Sequence, residues 1–193
     1  MGTKVKNTAE IIDKIKGLKR PAVVSIDGRS GSGKSFLAKT LEESIDDCLV
    51  VHLDDYFLRP EQRSKERYEM PGGNVDHERL TEQVIKPFIN DRPLVLQKFS
   101  CRTMELEEKR TVNAPSLLVL EGSYSGNDEL FGYSDLHIFV TCDERTQLER
   151  LKVREGSKLT DFMTRWIPLE ETYFSACHIR ETSELILDTT KKG

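Results

Sequence analysis

The stretch "DGRSGSGKS", residues 27–35, restricts the possible folds of this chain more than any other feature. It follows the apolar run "AVVSI" and precedes "FLAKTLEESI", which has helical periodicity. Gly28, Gly33, Lys34 and Ser35 match the pattern G-x-x-x-x-G-K-[ST] at every fixed position. Glycines remove side chains where backbone N–H groups converge on phosphate oxygens, and they supply the positive φ angles that turn those groups inward. The sequence therefore predicts a strand, a phosphate-binding loop and a helix.

The chemistry of this loop predicts a nucleotide site. Lys34 reaches the β- and γ-phosphates, the Ser35 hydroxyl is a ligand for Mg²⁺, and the helix N-terminus attracts the anion. A dinucleotide-binding G-x-G-x-x-G pattern starting at Gly31 would need glycine at position 36, where Phe36 stands. The predicted nucleotide-binding residues are Gly28, Ser30, Gly31, Ser32, Gly33, Lys34, Ser35 and Phe36.

The rest of the chain alternates strand-like apolar runs with helical patterns. The strand candidates cover residues 22–27, 48–54, 93–99, 116–122, 136–142 and 184–189. Near-continuous Val, Ile and Leu runs are typical of strands buried on both faces of a parallel sheet. We expect an α/β fold of the P-loop NTPase type, in which a doubly wound, mostly parallel five-stranded sheet carries helices on both faces. One domain, residues 1–193, is expected.

Two polar segments and one helical region interrupt this alternation. Residues 58–78 and 99–115 are predicted to be insertions at an acceptor site, the alternative being solvated surface loops, because long irregular loops in a compact domain are uncommon and often functional. A small lid is expected near residues 150–166.

Composition excludes several classes of function. The formal net charge of −4 over 193 residues argues against a nucleic-acid partner, which requires a basic face. No apolar run reaches the roughly 18 residues of a membrane span, and the N-terminus lacks the apolar core of a signal peptide. We therefore expect a cytoplasmic protein with small-molecule partners and no membrane partner. The four cysteines form no C-x-x-C pair, so no zinc site is predicted.

Carboxylates follow two of the predicted strands. Asp54 and Asp55 come after the second strand, where a carboxylate can take the proton of an acceptor hydroxyl. Glu121 ends the run "LLVLE", the Walker B arrangement that holds Mg²⁺. We predict Asp54 as a catalytic residue, and Ser35, Glu121 and Asp54 as the metal site. The alternative for each acid is a turn or a helix cap.

Taken in order, "GRSGSGKS", "HLDDYFLRPE", "GGNVDHERL", "LLVLEGSYS" and "LHIFVTCDERTQLERLKVRE" resemble the uridine kinase-like group of P-loop kinases. That group also includes phosphoribulokinases, pantothenate kinases and nicotinamide riboside kinases. The resemblance covers roughly residues 20–190. It implies an enzyme that uses ATP and Mg²⁺ and transfers the γ-phosphate to a hydroxyl of a small, often ribose-containing acceptor.

The resemblance also implies roles for individual residues. Asp54 matches the catalytic base, Asp76 the acid that holds acceptor hydroxyls, and Glu121 the Walker B acid. Arg150 and Arg154 match lid arginines that clamp phosphates. The predicted catalytic residues are Asp54, Lys34 and Arg154. The predicted acceptor-binding residues are Asp54, Tyr56, Asp76, His77, Arg102 and Arg165.

One departure from the family pattern leaves the acceptor open. Uridine kinases carry a Y-D-x-x-x-H-x-R stretch that reads the pyrimidine. Here the corresponding region is "KFSCRTMEL", with Phe99 at the aromatic position, Ser100 in place of the acid and no nearby histidine. A nucleoside such as uridine or another riboside is the expected acceptor. Pantothenate, a sugar or a purely regulatory nucleotide-binding role are alternatives, and the sequence leaves GTP as donor and a homo-oligomer open. His52 and His137, both in strand candidates, are predicted to be core residues.

Overall fold

The computed structural model describes residues 2–190. Ten strands form one large sheet and two small ones. The strands are β1 Thr3–Val5, β2 Ala22–Gly28, β3 Cys48–His52, β4 Leu94–Leu96, β5 Phe99–Ser100, β6 Glu105–Leu106, β7 Arg110–Val112, β8 Leu117–Glu121, β9 Leu136–Thr141 and β10 Leu185–Asp188. The large sheet has six parallel strands in the order β1-β10-β9-β2-β8-β3.

Helices lie on both faces of the large sheet. They are α1 Thr8–Lys16, α2 Lys34–Ser44, α3 Lys65–Glu69, α4 His77–Leu80, α5 Lys86–Ile89, α6 Asp128–Phe131, α7 Glu144–Glu155, α8 Leu159–Asp161, α9 Ile167–Ala176 and α10 Ile179–Thr182. A π-helical turn at Thr81–Ile85 joins α4 to α5, and another at Phe162–Trp166 joins α8 to α9. The α/β P-loop fold predicted from the sequence is confirmed.

Two apolar cores sandwich the sheet. On one face, Ile11 and Ile15 of α1 and Leu37 and Leu41 of α2 pack against the β2 side chains, including Val24. On the other face, α9 and the helical segment from α4 to α5 pack against the opposite side chains of the same strands. All seven residues of β2 are buried, which explains why its sequence is mostly apolar on both faces rather than alternating, with Ser25 and Asp27 as buried polar exceptions.

The strands of the large sheet differ from the predicted ones in two respects. It has six strands rather than five, because β1 adds to its edge beside β10. The sequence "TKV" of β1 is short and mostly exposed, so it carries no apolar signal. The run 93–99 was a strand candidate, but β4 pairs antiparallel with β7 outside the large sheet.

Strand register brings the chemistry-bearing residues to one edge. Glu121 at the end of β8 is in register with Ile26 of β2 on one side and His52 of β3 on the other. The glycine-rich loop follows β2 directly, so it lies at the same carboxyl edge, where ligands bind in open α/β sheets. Among residues 2–190, no helix is long and apolar enough to cross a membrane.

Candidate active site

The glycine-rich loop connects β2 to α2 through backbone that only glycine adopts readily. Gly28 has φ of +139°, and a Cβ atom there would lie 2.0 Å from the carbonyl oxygen of Val140. Gly33 has φ of +101° and is the cap residue from which α2 begins. The prediction of a tight loop that ends at a helix N-terminus is therefore matched by the backbone geometry.

Lys34 lies folded over its own loop. Its ammonium group donates to the carbonyl oxygens of Gly28 at 2.7 Å and Arg29 at 3.0 Å, and it lies 3.3 Å from the hydroxyl of Ser123. The side chain is buried, and its charge acts to lower the pKa values of both Asp54 and Glu121 at this edge of the sheet. A buried ammonium on a glycine-rich loop at a helix N-terminus is a site for phosphate oxygens.

Ser35 and Glu121 form the corner in which a metal ion would be bound. The Ser35 hydroxyl donates to Oε1 of Glu121 at 3.1 Å, and His52 Nδ1 lies 2.5 Å from Oε2. Burial alone would raise the pKa of Glu121, but the His52 hydrogen bond and the Lys34 charge together lower it, so the carboxylate is ionised. A hydroxyl and a carboxylate are ligands that suit Mg²⁺, which takes its remaining ligands from phosphates and water.

The two histidines in strands have different environments. His137 is buried and bonded to Ser25, as expected for a core residue. His52 is not a core residue, because its side chain is 46% exposed at the sheet edge and contacts Glu121. That contact raises the pKa of His52. Strand periodicity alone could not distinguish an interior position from the last residue of an edge strand.

Asp54 lies in the 3₁₀ turn Leu53–Tyr56, directly after β3. By surface area the residue is exposed, because it faces an open cavity, but protein surrounds the carboxyl on its other sides. This partial burial raises the pKa of Asp54 above 3.8, although the nearby Lys34 opposes the effect. A carboxyl with a raised pKa is a better proton acceptor at neutral pH.

A cavity of about 410 Å³ joins the loop, the metal corner and Asp54. The predicted site residues that line it are Ser30, Lys34, Ser35, Asp54, Glu121, Arg154 and Arg165. Aromatic walls come from Phe57, Tyr68, Phe162 and Trp166, and polar groups from Arg63 and Asn74. The cavity therefore combines a phosphate-binding end with an end that has flat apolar surfaces.

The arginines of the predicted lid have different neighbours. Arg154 pairs with Glu155 and lies over the Phe162 ring, and Arg165 lies over the Trp166 ring at 4.6 Å. Both line the cavity. Arg150 does not, since its guanidinium donates to the carbonyl oxygen of Gly31 at 3.1 Å and to Thr189, which braces the loop from behind.

Asp76 is placed differently from the sequence prediction. Its carboxylate is 1% exposed and pairs with Arg79 at 3.2 Å and Arg59 at 3.3 Å, while it also caps α4. Burial would raise the pKa of Asp76, but hydrogen bonds from Gln62 and Arg79 lower it. Asp76 does not line the cavity, because its acceptor positions serve the helix cap and two arginines.

Eight further predicted residues also lie outside the cavity lining, and four of them are loop residues: Gly28, Gly31, Ser32 and Gly33. The other four lie elsewhere. Tyr56 is buried, and the Arg79 guanidinium lies over its ring, with the guanidinium carbon 4.3 Å from the ring centre. The imidazole of His77 contacts Arg67 at 3.2 Å. Arg102 is exposed in the turn between β5 and β6, where its neighbour Cys101 reaches the cavity instead. Phe36 is 75% exposed on α2.

Sequence reasoning missed several residues of the cavity. Glu170 of α9 is 3% exposed and bonded to the glycine-rich loop. Ser123 contacts both Lys34 and Glu170. Tyr124 takes a φ of +83°, which holds its ring against Tyr173. The run "EGSYS" could have indicated Ser123, because it follows the Walker B acid directly, but no local pattern around Glu170 indicates a contact with a loop 140 residues away.

No protein-family model matches the chain. A uridine kinase of Clostridium novyi (strain NT) is 31% identical over 147 residues, which cover 70% of this chain and 69% of that enzyme. A bifunctional alpha-galactosidase/sucrose kinase of Mediterraneibacter gnavus is 25% identical over 88% of this chain, which corresponds to 21% of that protein.

The fold is also similar to solved structures. A protein described as a "Possible Uridine Kinase" from Bacillus stearothermophilus superimposes with a TM-score of 0.72 at 21% identity. The superposition covers 94% of this chain and 97% of that one. At that identity the likeness is one of fold, and it extends over almost the whole described chain.

Proposed function

The chain belongs to the uridine kinase-like family of P-loop kinases, and we propose that it transfers the γ-phosphate of ATP to a hydroxyl of a nucleoside, such as uridine, or of another riboside. It is thus a phosphotransferase. The observation that carries the proposal is the shared cavity: Lys34 on the phosphate loop, the Ser35–Glu121 pair and Asp54 all line it. Such transfer depends on positioning and on neutralising charge.

The donor side of the reaction is assigned to the loop and to Lys34. In the structure the Lys34 ammonium donates to two loop carbonyls, which are uncharged acceptors. Phosphate oxygens are stronger acceptors because they are charged. We expect Lys34 to direct a hydrogen bond to the β- and γ-phosphates when ATP binds, while the Gly28 carbonyl and Ser123 continue to hold the ammonium. There it offsets the charge that accumulates during transfer.

The metal corner fits Mg²⁺ by its donor set. Ser35 and Glu121 would hold the ion, and His52 orients the carboxylate from its other oxygen. When bound, the metal offsets the charge of the β- and γ-phosphates. Asp54 faces the same cavity, from which it can contribute a further oxygen.

The acceptor side is assigned to Asp54 and the aromatic end of the cavity. Asp54 would accept the proton of the attacking hydroxyl, and its raised pKa favours that step. Phe57, Tyr68 and Trp166 present flat surfaces against which a base or a sugar ring can pack. Arg154 and Arg165 border the same space from the proposed lid, residues 150–166, and would neutralise phosphate charge as the lid closes.

A sugar acceptor is the second candidate. One relative of this chain is a bifunctional alpha-galactosidase/sucrose kinase. In addition, the segment that corresponds to the pyrimidine-reading stretch forms the small β5–β6 hairpin, from which Cys101 and Met104 line the cavity. Neither side chain supplies the strong hydrogen bonds that discriminate between bases. An acceptor read through its hydroxyls would therefore also fit.

The cellular compartment and the partners of the enzyme are also part of the proposal. We expect the enzyme to act in the cytoplasm, where ATP is available, on small molecules and without nucleic acid or membrane partners. The formal net charge of −4 supports this expectation for nucleic acid. Residues 58–78 and 99–115 supply Arg63, Tyr68, Asn74 and the β5–β6 hairpin to the cavity, which supports their assignment to the acceptor site.

The test is an acceptor panel. ADP release from Mg·ATP is measured with uridine, cytidine, nicotinamide riboside, pantothenate, fructose and sucrose. We expect one riboside to stimulate turnover strongly and Lys34→Ala to abolish the stimulation. A response confined to a sugar would support the second candidate. ATP binding without stimulation by any acceptor would contradict both and favour a regulatory nucleotide-binding role.

A further inference from the structure

Glu170 is a buried carboxylate bonded to the phosphate loop. Its Oε2 accepts the backbone N–H of Ser30 at 2.9 Å, and its Oε1 accepts the Ser30 hydroxyl at 2.6 Å. Oε1 also accepts the Ser123 hydroxyl at 2.8 Å. The Glu170 side chain is 3% exposed and lines the same cavity as Lys34 and Asp54.

The helix that presents Glu170 is fixed in the core. One turn along α9, Tyr173 is fully buried and its hydroxyl donates to Oδ2 of Asp27 at 2.6 Å. The rings of Tyr173 and Phe174 pack against each other and against Tyr124 and Phe139. Because these contacts hold the backbone of α9, the Glu170 carboxylate is presented by a rigid element rather than by a mobile lid.

From these contacts we infer that Glu170 is a positioning residue for the phosphate loop. It fixes the main chain of Ser30 and the hydroxyl of Ser123, and through Ser123 it sets the place of the Lys34 ammonium. The inference deepens the proposed kinase function and rests on it for catalysis, whereas its effect on nucleotide binding can be measured without any acceptor.

The Ser123 hydroxyl explains how Glu170 acts on Lys34. This hydroxyl has one proton and two acceptors within reach, Glu170 Oε1 at 2.8 Å and the Gly28 carbonyl at 2.9 Å. The carboxylate is charged and therefore the stronger acceptor. When Ser123 donates to it, the Gly28 carbonyl stays free for Lys34, and a lone pair of Ser123 faces the ammonium.

Glutamine at position 170 would disturb this arrangement without changing its shape. An amide has one acceptor oxygen where the carboxylate has two, but Ser30 and Ser123 offer three donors between them. The amide N–H₂ would face at least one of those donors. Ser123 would then donate to the Gly28 carbonyl and compete with Lys34 for it.

The adjacent Glu171 is a matched control. It is the same residue type on the same helix, and it pairs with Arg29 of the same loop at 2.6 Å. Its side chain is 43% exposed, and it does not line the cavity. Glu171→Gln therefore removes a charge beside the loop without touching Ser30, Ser123 or Lys34.

The experiment measures nucleotide binding by calorimetry, with Mg²⁺ and either a non-hydrolysable ATP analogue or ADP. Lys34 is assigned to both the β- and the γ-phosphate, and ADP offers only the first of these. We therefore expect Glu170→Gln to weaken binding of the triphosphate analogue by roughly tenfold and binding of ADP by only about threefold, as for the loss of a hydrogen bond to a charged group. Glu171→Gln should change neither affinity by more than about twofold.

Three outcomes would overturn the inference. Tighter analogue binding by Glu170→Gln would mean that the carboxylate competes with phosphates. Unchanged binding would mean that it does not set Lys34. Equal losses for ADP and the analogue would mean general disorder of the loop. If Glu170→Gln does not fold, Ser123→Ala tests the same relay, and retained preference of that variant for the triphosphate would also overturn the inference.

A double-mutant cycle separates positioning from general packing. If Glu170 acts through Ser123, the combined Glu170→Gln and Ser123→Ala variant should lose no more triphosphate affinity than the more affected single variant. Additive losses would contradict the relay. The kcat for whichever acceptor proves active should fall with the same pattern while the KM of that acceptor is unchanged, so failure to find an acceptor leaves the binding result intact.

Discussion

Replacing Asp27 with asparagine should change how the folding stability of the protein depends on pH. Asp27 lies beneath the phosphate loop and is 2% exposed. Its oxygens accept from the backbone N–H groups of Gly28 at 2.6 Å and Gly126 at 2.9 Å and from the Tyr173 hydroxyl at 2.6 Å. Burial outweighs these donors and raises the pKa of Asp27 from 3.8 to about 6.

The sign follows from proton binding in the two states. Between the unfolded pKa of 3.8 and the folded pKa of about 6, the folded protein holds a proton at Asp27 that the unfolded chain has released. Stability therefore falls as pH rises through this window and is level on either side. The difference between 3.8 and about 6 corresponds to about 3 kcal/mol, an upper estimate for one buried group.

Asparagine is neutral at every pH, so it isolates this contribution. The free energy of unfolding of wild type minus that of Asp27→Asn should fall by up to about 3 kcal/mol between pH 4 and pH 6.5. In a chain of this size that corresponds to roughly 6–12 °C in the difference between the two melting temperatures. Chemical denaturation at intervals of half a pH unit measures the change.

Other titrating groups do not affect the difference in stability between wild type and Asp27→Asn. Carboxylates with lowered pKa values, such as Glu121 and Asp76, stabilise the protein less as pH falls, but this loss is the same in both proteins. A stability difference that is independent of pH would refute the raised pKa of Asp27. A difference that grows with pH would show that the hydrogen bonds outweigh burial.

Three further predictions follow from the site. Gly28→Ala should lower the melting temperature by more than about 5 °C, because its Cβ would lie 2.0 Å from a strand carbonyl oxygen and its φ is +139°. The control Gly132→Ala, whose Cβ would meet nothing within 4 Å, should change the melting temperature by less than about 2 °C. Equal effects of the two substitutions would contradict the steric reason. Asp76→Asn should lower the free energy of unfolding, measured by denaturant titration, by about 3 kcal/mol, because it breaks the buried ion pair with Arg79. The KM of the acceptor should be unchanged. A raised KM without loss of stability would return Asp76 to the acceptor site. The pH profile of kcat/KM should show an acidic limb above 3.8, since the pKa of Asp54 is raised, and a limb at or below that value would exclude Asp54 as the base.

The fold and the phosphate end of the site could be predicted because their signals are local. The glycine-rich loop is specified by a spacing of eight residues, and buried parallel strands are continuous apolar runs. Carboxylates at strand ends also collect at one edge by topology alone, which explains why Asp54 and Glu121 line the same cavity as Lys34.

Much of the acceptor end could not be predicted, because the contacts of its side chains join distant segments. The motif "NVDH" indicates an acid at position 76, but not that Arg59 and Arg79 pair with its carboxylate. Glu170 lies in a helix with little amphipathic pattern, and its partner Ser30 is 140 residues away. The edge strand β1 was missed because three mostly exposed residues carry no periodicity.

The most direct measurement is phosphoryl transfer by Asp54→Asn beside a binding titration of the same variant with Mg²⁺ and the ATP analogue. Formation of the phosphorylated acceptor is followed by mass spectrometry, with the acceptor that the panel identifies. In the proposed arrangement Asp54 accepts the hydroxyl proton and Lys34 holds the phosphates. We therefore expect transfer to fall by at least about 10²-fold while the dissociation constant of the analogue changes less than about threefold. Near-normal transfer by Asp54→Asn would contradict the assignment of the base and, with it, the proposed arrangement of the site.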